Sequence, residues 1–246
     1  MENLFDVNGL VFWTEKEIRL RRAFEDYFRQ ELQAALLETN PAWHTFHHIE
    51  APILTPCSAL NPNYTDEDIW AQEGDMPFLA LRPETTPGSY AYAKHLLHGI
   101  AKPARPPFVV WQSGKSFRRE QNQVLKNMRL KEFWQQEFQC FYTDDTLNDY
   151  HSAILPAVEK MISEMVRWPC RVVESDRLPT YSRKTVDIEV MTDDKWMEVC
   201  SVSLRTDFPE KARFQVKKKV IEKGLLVLEI AIGLDRCVYN FLQRKS

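Results

Sequence analysis

The sequence predicts an α+β fold, a mostly antiparallel sheet flanked by helices, on three observations. Segments that alternate apolar and polar residues at period two recur along the chain, which is the mark of half-buried strands. A long stripe at helical spacing occupies the N-terminal part. The connections are short, and no internal repeat or low-complexity tract separates the elements, so the 246 residues read as one packed domain.

The elements follow in order. Thr14-Glu15-Lys16-Glu17 is a capping-box start. Leu20, Ala23, Phe24, Tyr27, Phe28 and Leu32 continue it as one helical stripe to about Leu37, and Asn40-Pro41 stops it. The segment from His47 to Leu54 reads as a strand leading to Pro56, and residues 61–77 as a polar loop. Phe78–Leu81 is a short strand, and after Arg82-Pro83-Glu84-Thr85-Thr86 a helix runs to about His98. A Pro-rich connection leads to an apolar strand, Phe108–Gln112, which feeds a hairpin over 116–142. A helix is expected over Asp145–Val166, with strands near 170–174, 185–191 and 196–203. Ile221–Gly224 leads into a strand, Leu225–Ile232, and Gly233 opens a terminal helix.

Composition excludes several classes. Only seven glycines argue against a Rossmann glycine loop, and no apolar run is long enough to span a bilayer. The first residues lack the apolar core of a signal peptide, so a cytoplasmic location and no membrane partner are expected. Cys57, Cys140, Cys170, Cys200 and Cys237 are scattered, odd in number and without a C-x-x-C pair, which speaks against a zinc site or a disulfide framework. The net charge of -3 gives no general attraction for nucleic acid. The short basic runs Arg19–Arg22 and Lys217–Lys219 read as solvated faces. His44, His47 and His48 lack a fourth ligand at metal-binding spacing.

The hairpin carries the chemistry. Ser116-Phe117-Arg118-Arg119-Glu120 sets an arginine and a glutamate two positions apart on a strand, so both point to one face. The return arm is Arg129-Leu130-Lys131-Glu132-Phe133-Trp134-Gln135-Gln136-Glu137-Phe138. Both signs of charge beside a ring that can stack on a purine suit a nucleoside triphosphate. Glu84 stands where a strand meets a helix, Glu198 among apolar residues of a strand, and Glu229 in an apolar strand that ends at Gly233-Leu234-Asp235-Arg236. Charges in apolar strands require a partner or a ligand. Any one of these pairs also fits an ordinary cross-strand pair.

Taken together, these segments resemble a class II aminoacyl-tRNA synthetase catalytic core, most closely that of the glycyl enzymes, from about Thr14 to Leu242. The first helix and the strand near Pro52 and Pro56 resemble motif 1, the dimer-interface element. Phe117-Arg118-Arg119-Glu120 with Arg129-x-Lys131-Glu132-Phe133-x-Gln135-x-Glu137 resembles motif 2, and Gly233-Leu234-Asp235-Arg236 resembles motif 3. Leu81-Arg82-Pro83-Glu84-Thr85 and Glu198 with Arg205-Thr206-Asp207 are similar to the glycyl branch.

The resemblance implies that ATP and an amino acid yield aminoacyl-adenylate and pyrophosphate, with ATP and Mg²⁺ as cofactors. It assigns Arg118 to the α-phosphate, Glu120 to the adenine amino group, Phe133 to stacking and Arg129 to the triphosphate tail. Arg236 would close over adenine and reach the γ-phosphate, and Glu198 would hold Mg²⁺. Arg118 and Arg236 would be the catalytic pair. Glu84, with Glu229 and Arg205, would take the ammonium group, and Gln135 and Glu137 would line the amino-acid side. A homodimer is implied. Two departures widen the expected substrate from glycine to a small, glycine-like amino acid: Glu229-Ile230-Ala231 replaces Glu-Pro-Ser, and Ser201 and Ser203 replace the family's usual Gly and Ala. The resemblance implies that residues 1–246 form a single catalytic domain; the chain ends ten residues after Arg236, so no anticodon-binding domain is expected. Three readings follow: a ligase passing the amino acid to tRNA or a tRNA-like acceptor; a ligase for another acceptor such as a carrier protein, a small molecule or a modified nucleic-acid base; and a non-catalytic accessory paralogue, which the retained Arg118, Glu120, Glu198 and Arg236 disfavour.

Overall fold

A computed structural model describes residues 5–7, 10–65, 67–74, 78–119, 128–143, 149–175, 180–192, 195–216 and 219–243. A short hairpin, β1 (Phe5–Val7) and β2 (Leu10–Phe12), precedes helix α1 (Glu15–Thr39). Thr14 caps α1 as expected, its backbone N–H donating to Glu17 Oε2 at 3.0 Å. Strands β3 (Phe46–His48), β4 (Leu54–Pro56), β5 (Trp70–Ala71) and β6 (Leu79–Leu81) follow. Helix α2 (Thr86–Lys94) ends in a π-helical turn, His95–Gly99. The long hairpin is β7 (Phe108–Phe117) and β8 (Glu132–Thr143). Then come α3 (Tyr150–Val166), β9 (Cys170–Glu174), β10 (Ser182–Thr192), β11 (Lys195–Arg205), β12 (Lys211–Val216), β13 (Lys219–Gly233) and α4 (Leu234–Gln243).

Eight strands form the central sheet in the order β3-β7-β8-β13-β11-β10-β9, with β12 paired to the first half of β13. Every pair is antiparallel except β3 with β7. A separate three-stranded sheet, β4-β6-β5, leads into α2. The α+β class and the helix-flanked antiparallel sheet are as the sequence predicts.

The period-two alternation divides the sheet into two faces. Phe138 and Cys140 of β8, Leu228, Ile230 and Ile232 of β13, and Cys200 and Val202 of β11 join one core with Phe24, Phe28, Leu32 and Leu36 of α1 and with α3 and α4. At one end of the opposite face a smaller core gathers Phe108, Val110, Phe141 and Val227 with Leu96 and Leu97. The remaining positions of that face, Gln135, Glu137, Gln139, Ser201, Ser203, Arg205, Glu229 and Ala231, are polar or small. They occupy sheet centre, where burial without partners is costly.

Several expectations are corrected. The strand expected over 47–54 divides into β3 and β4, because Pro52 has no backbone N–H to give a ladder. The polar loop 61–77 contains β5. The hairpin β12–β13 was not foreseen, although Lys211-Ala212-Arg213-Phe214-Gln215-Val216 alternates at period two and could have been read as a strand. β7 stops at Phe117, so Arg118 lies just past the strand, its N–H donating to the Lys131 carbonyl at 2.9 Å. Glu120 lies outside the described residues, as does most of the second basic run. The first basic run is on α1, where Arg21 is half-buried with its guanidinium 3.9 Å from the Trp134 ring centroid rather than solvated.

Candidate active site

Glu198 reaches the site through a local irregularity of its strand. Even-numbered residues of β11 face the helical core, and Glu198 among apolar neighbours would belong there. β10 and β11 slip register at this point: Ile188 pairs with Cys200 but Glu189 pairs with Glu198, leaving Val199 as an extra residue. Val199 and Cys200 are both buried in the helical core. The bulge therefore turns Glu198 over to the polar face, where it is exposed. Its carboxylate lies 3.7 Å from Arg236, whose guanidinium also donates to the Glu198 carbonyl at 2.8 Å.

A pocket of ≈ 260 Å³ lies over this face. At one end it is lined by Arg118, Arg129, Phe133, Glu198 and Arg236, and at the other by Glu84, Gln135, Glu137 and Glu229. Sequence elements far apart supply the first end: the β7–β8 hairpin, the bulge in β11 and the first turn of α4. The Arg118 guanidinium lies 5.3 Å from the Phe133 ring centroid, and its Nε donates to the Pro83 carbonyl at 3.1 Å. Asp235 is buried beside it and accepts from the Trp134 N–H at 2.9 Å, tying α4 to β8. Burial pushes the Asp235 carboxyl up to about 7, against the pull of that N–H and of Arg21.

The second end is a buried charge cluster. Glu84 reaches it because Arg82, just before it, is locked in place: Arg82 Nε donates to the Lys115 carbonyl at 2.9 Å and Nη1 to the Ala51 carbonyl at 2.8 Å. Gly114 makes room for that guanidinium, since a Cβ there would come within 2.2 Å of Arg82 Nη2. Arg205 sits behind the acids, only 1% exposed. It contacts Asp207 at 2.7 Å, Glu229 at 2.8 Å and Glu84 at 3.8 Å. Glu229 also accepts from Gln139 at 2.6 Å and Thr86 at 3.0 Å. Glu137 accepts from Thr85 at 2.5 Å and Gln135 at 2.5 Å, and Glu84 accepts from the Tyr64 hydroxyl at 3.0 Å.

The electrostatics are lopsided. Around Arg205 stand four acids: Glu84, Glu137, Asp207 and Glu229. Burial pushes Glu137 up to about 8, with the Glu229 and Glu84 charges adding to it. Burial raises Glu84 too, against the pull of Arg205. Burial also works against the Arg205 charge, but Glu229 and Glu84 outweigh it and hold the guanidinium protonated. The cluster is thus short of positive charge and suits a cationic group. The other end, with three arginines and an aromatic ring, suits an anion joined to a flat base.

The structure brings the described residues to which the resemblance assigned site roles into this one neighbourhood. Arg205 is the exception in detail: it backs the pocket instead of lining it. Tyr64, Thr86, Gln139 and Tyr181 escaped sequence reading. Gln139 was accessible, since it shares strand parity with Gln135 and Glu137; the tyrosines lie in loops that carry no periodic signal. Among the described residues no three His, Cys, Asp or Glu side chains are arranged to hold a metal ion. His48 instead stacks on Trp111 at 4.0 Å. No described helix is long and apolar enough to cross a membrane.

The helix-flanked antiparallel sheet is the fold of class II synthetase catalytic cores. Prolyl-tRNA synthetase from Cryptosporidium parvum, solved with halofuginone and AMPPNP, superposes with a TM-score of 0.72 over 98% of this chain and 49% of that one, at 14% identity. The same enzyme with L-proline and AMP superposes equally, covering 50% of that chain. Residues 70–244 match the family described as tRNA synthetase class II core domain (G, H, P, S and T), and the chain belongs to it. The glycine–tRNA ligase of Mycoplasma capricolum subsp. capricolum is 30% identical over 178 residues, covering 67% of this chain and 39% of that protein. That of Bifidobacterium longum is 30% identical over 178 residues, covering 66% and 36%. The chain thus spans about two-fifths of the length of these relatives.

Proposed function

We propose that the chain activates a small, glycine-like amino acid with ATP to aminoacyl-adenylate and transfers it to tRNA or a tRNA-like acceptor. One observation carries the reading: a single pocket has a cationic, aromatic end and a buried acidic end that lacks positive charge. ATP would lie at the first end, with Phe133 against adenine, Arg118 on the α-phosphate, and Arg129 and Arg236 on the phosphate tail. Glu198, an exposed carboxylate on that rim, fits a Mg²⁺ held by one side chain and substrate phosphates, and the ion would neutralise phosphate charge. The ammonium of the amino acid would enter the acidic end at Glu84, with Glu137 and Glu229 around it and Arg205 holding the acids apart. Gln135 would line the same end.

This aims the substrate carboxylate at the α-phosphorus beside Arg118. A carboxylate oxygen forms the new P–O bond as the bond to the β-phosphate oxygen breaks and pyrophosphate leaves. Charge builds on the α-phosphate oxygens, where Arg118 stabilises it; positioning and electrostatics supply the rate without an enzyme nucleophile. The small floor at Ser201 and Ala231 limits the substrate side chain.

Exchange of labelled pyrophosphate into ATP, measured with each of the twenty amino acids, tests this. Exchange dependent on glycine, alanine or another small amino acid is expected; none with any of them refutes the activation reading. Pairing of two copies through residues 14–56, suggested by the family's first motif, belongs to the same proposal. A monomer in analytical ultracentrifugation at micromolar concentration would refute that part.

A further inference from the structure

Two cavities meet at the acidic end. Beyond the pocket already described, a groove of ≈ 630 Å³ opens along α2 and the segment after β11, with Pro87, Tyr90, Ala91 and Phe208 among its walls. Two residues line both spaces, Glu84 and Tyr181. Glu84 is held by Tyr64 and faces Arg205. Tyr181 is half-buried, and its ring centroid lies 4.0 Å from the Arg205 guanidinium carbon, which fixes the ring in place.

The walls around the acidic end differ in what lies behind them. Ser201 and Ala231 face each other in register on β11 and β13, and Glu137 pairs with Ala231 from β8. Behind that floor are Cys200, Val202, Ile230 and Ile232, all buried against helices, so it offers a larger substrate side chain no space. Behind Tyr181 is the groove, where the charged Lys94, Arg205, Asp207 and Glu210 share the lining with an apolar wall of Pro87, Tyr90, Ala91 and Phe208 that would accept an apolar chain.

We propose that Tyr181 is a specificity-determining residue: its ring partitions the pocket from the groove and sets the size of amino-acid side chain admitted. The proposal rests on the activation reading, but its steric content can be measured without the reaction. Removing the ring joins the two spaces and provides a site for an aliphatic side chain of the size of leucine or methionine.

The full chain, Tyr181→Ala, Tyr181→Leu and Tyr181→Phe are compared by pyrophosphate exchange with glycine, alanine, serine, leucine and methionine, and by calorimetric binding of the same amino acids without ATP. In Tyr181→Ala, exchange kcat/KM for leucine or methionine should rise at least tenfold over the parent chain, with calorimetry showing the same gain in affinity. Tyr181→Phe keeps the ring and should keep the parent profile. A folded Tyr181→Ala that gains neither exchange nor binding overturns the proposal, as does a Tyr181→Phe that widens equally. If Tyr181→Ala does not fold, Tyr181→Leu decides in the same way. If the parent chain shows no exchange, the activation reading fails, while leucine binding gained in the alanine variant still supports the partition and its absence overturns it.

Discussion

Replacing Arg205 by methionine tests the physical basis of the acidic end independently of any activity. The guanidinium is 1% exposed and contacts carboxylates at 2.7, 2.8 and 3.8 Å. Methionine fills much of the volume, so the change removes charge more than packing. Removing one partner of a buried ion pair typically costs about 3–5 kcal/mol, because the other charge stays buried and uncompensated. Here one cation serves three acids, which places the expected loss at the upper part of that range near pH 8. For a chain of this size each kcal/mol corresponds to about 2–4 °C in Tm, so a fall of roughly 10–15 °C is expected. The cost should depend on pH in a definite direction. Without Arg205, Glu84 and Glu137 take up protons more readily, and their folded-state values, already raised by burial, rise further above the unfolded value of about 4.3. A raised folded-state value contributes stability that is complete below the unfolded value and lost as pH rises through the folded one. Urea unfolding followed by tryptophan fluorescence at pH 5, 6.5 and 8 should therefore show the deficit of Arg205→Met shrinking toward pH 5. A deficit below about 1 kcal/mol at pH 8, or one that grows on acidification, would refute the charge-balance account.

Arg118→Ala should lower pyrophosphate exchange by roughly 10²–10³-fold, the loss seen when one charge-stabilising donor is removed from a transition state, with unchanged circular dichroism; exchange within tenfold of the parent would remove Arg118 from the phosphate role. Glu137→Gln should flatten the pH dependence of stability, since Glu137 is pushed up to about 8 and its contribution is lost between about pH 4 and 8. Unfolding free energies from urea titrations across that window should fall less steeply in the variant, by up to about 1.4 kcal/mol per pH unit, and identical slopes would show that Glu137 is not buried in a proton-holding state.

The fold was legible where the residues obey a period. α1 declared itself through Thr14, Glu17 and the Phe24–Phe28–Leu32 stripe, and the long strands through alternation. Legibility failed where one local event overrode the period. Pro52 divided one expected strand into two. The extra residue Val199 reversed the parity of β11, and sequence parity alone would have sent Glu198 into the helical core. The site was legible as a set of residue types and only partly as an arrangement. Arg118, Glu84, Glu198, Glu229 and Arg236 could be named from motif order, yet that Arg205 stands behind the acids follows only from the register of β11 on β13, which sets Ser203 opposite Glu229.

That register explains how one sheet can hold both a hydrophobic core and a charged site. β8, β11 and β13 each present apolar side chains to α1, α3 and α4 on one parity and polar side chains to the pocket on the other. A single-residue slip would exchange the two sets and bury Glu137, Glu229 and Arg205 against leucine and phenylalanine, which is prohibitively unfavourable. The helical core therefore enforces the alignment of the acids. The cost of gathering those acids is met locally by Arg205 and by neutral donors such as Thr85, Thr86 and Gln139, none of which restores full charge balance. On the proposed function an ammonium group would complete what these residues leave short, so the features that leave the cluster short of positive charge are also those that would select a cationic ligand.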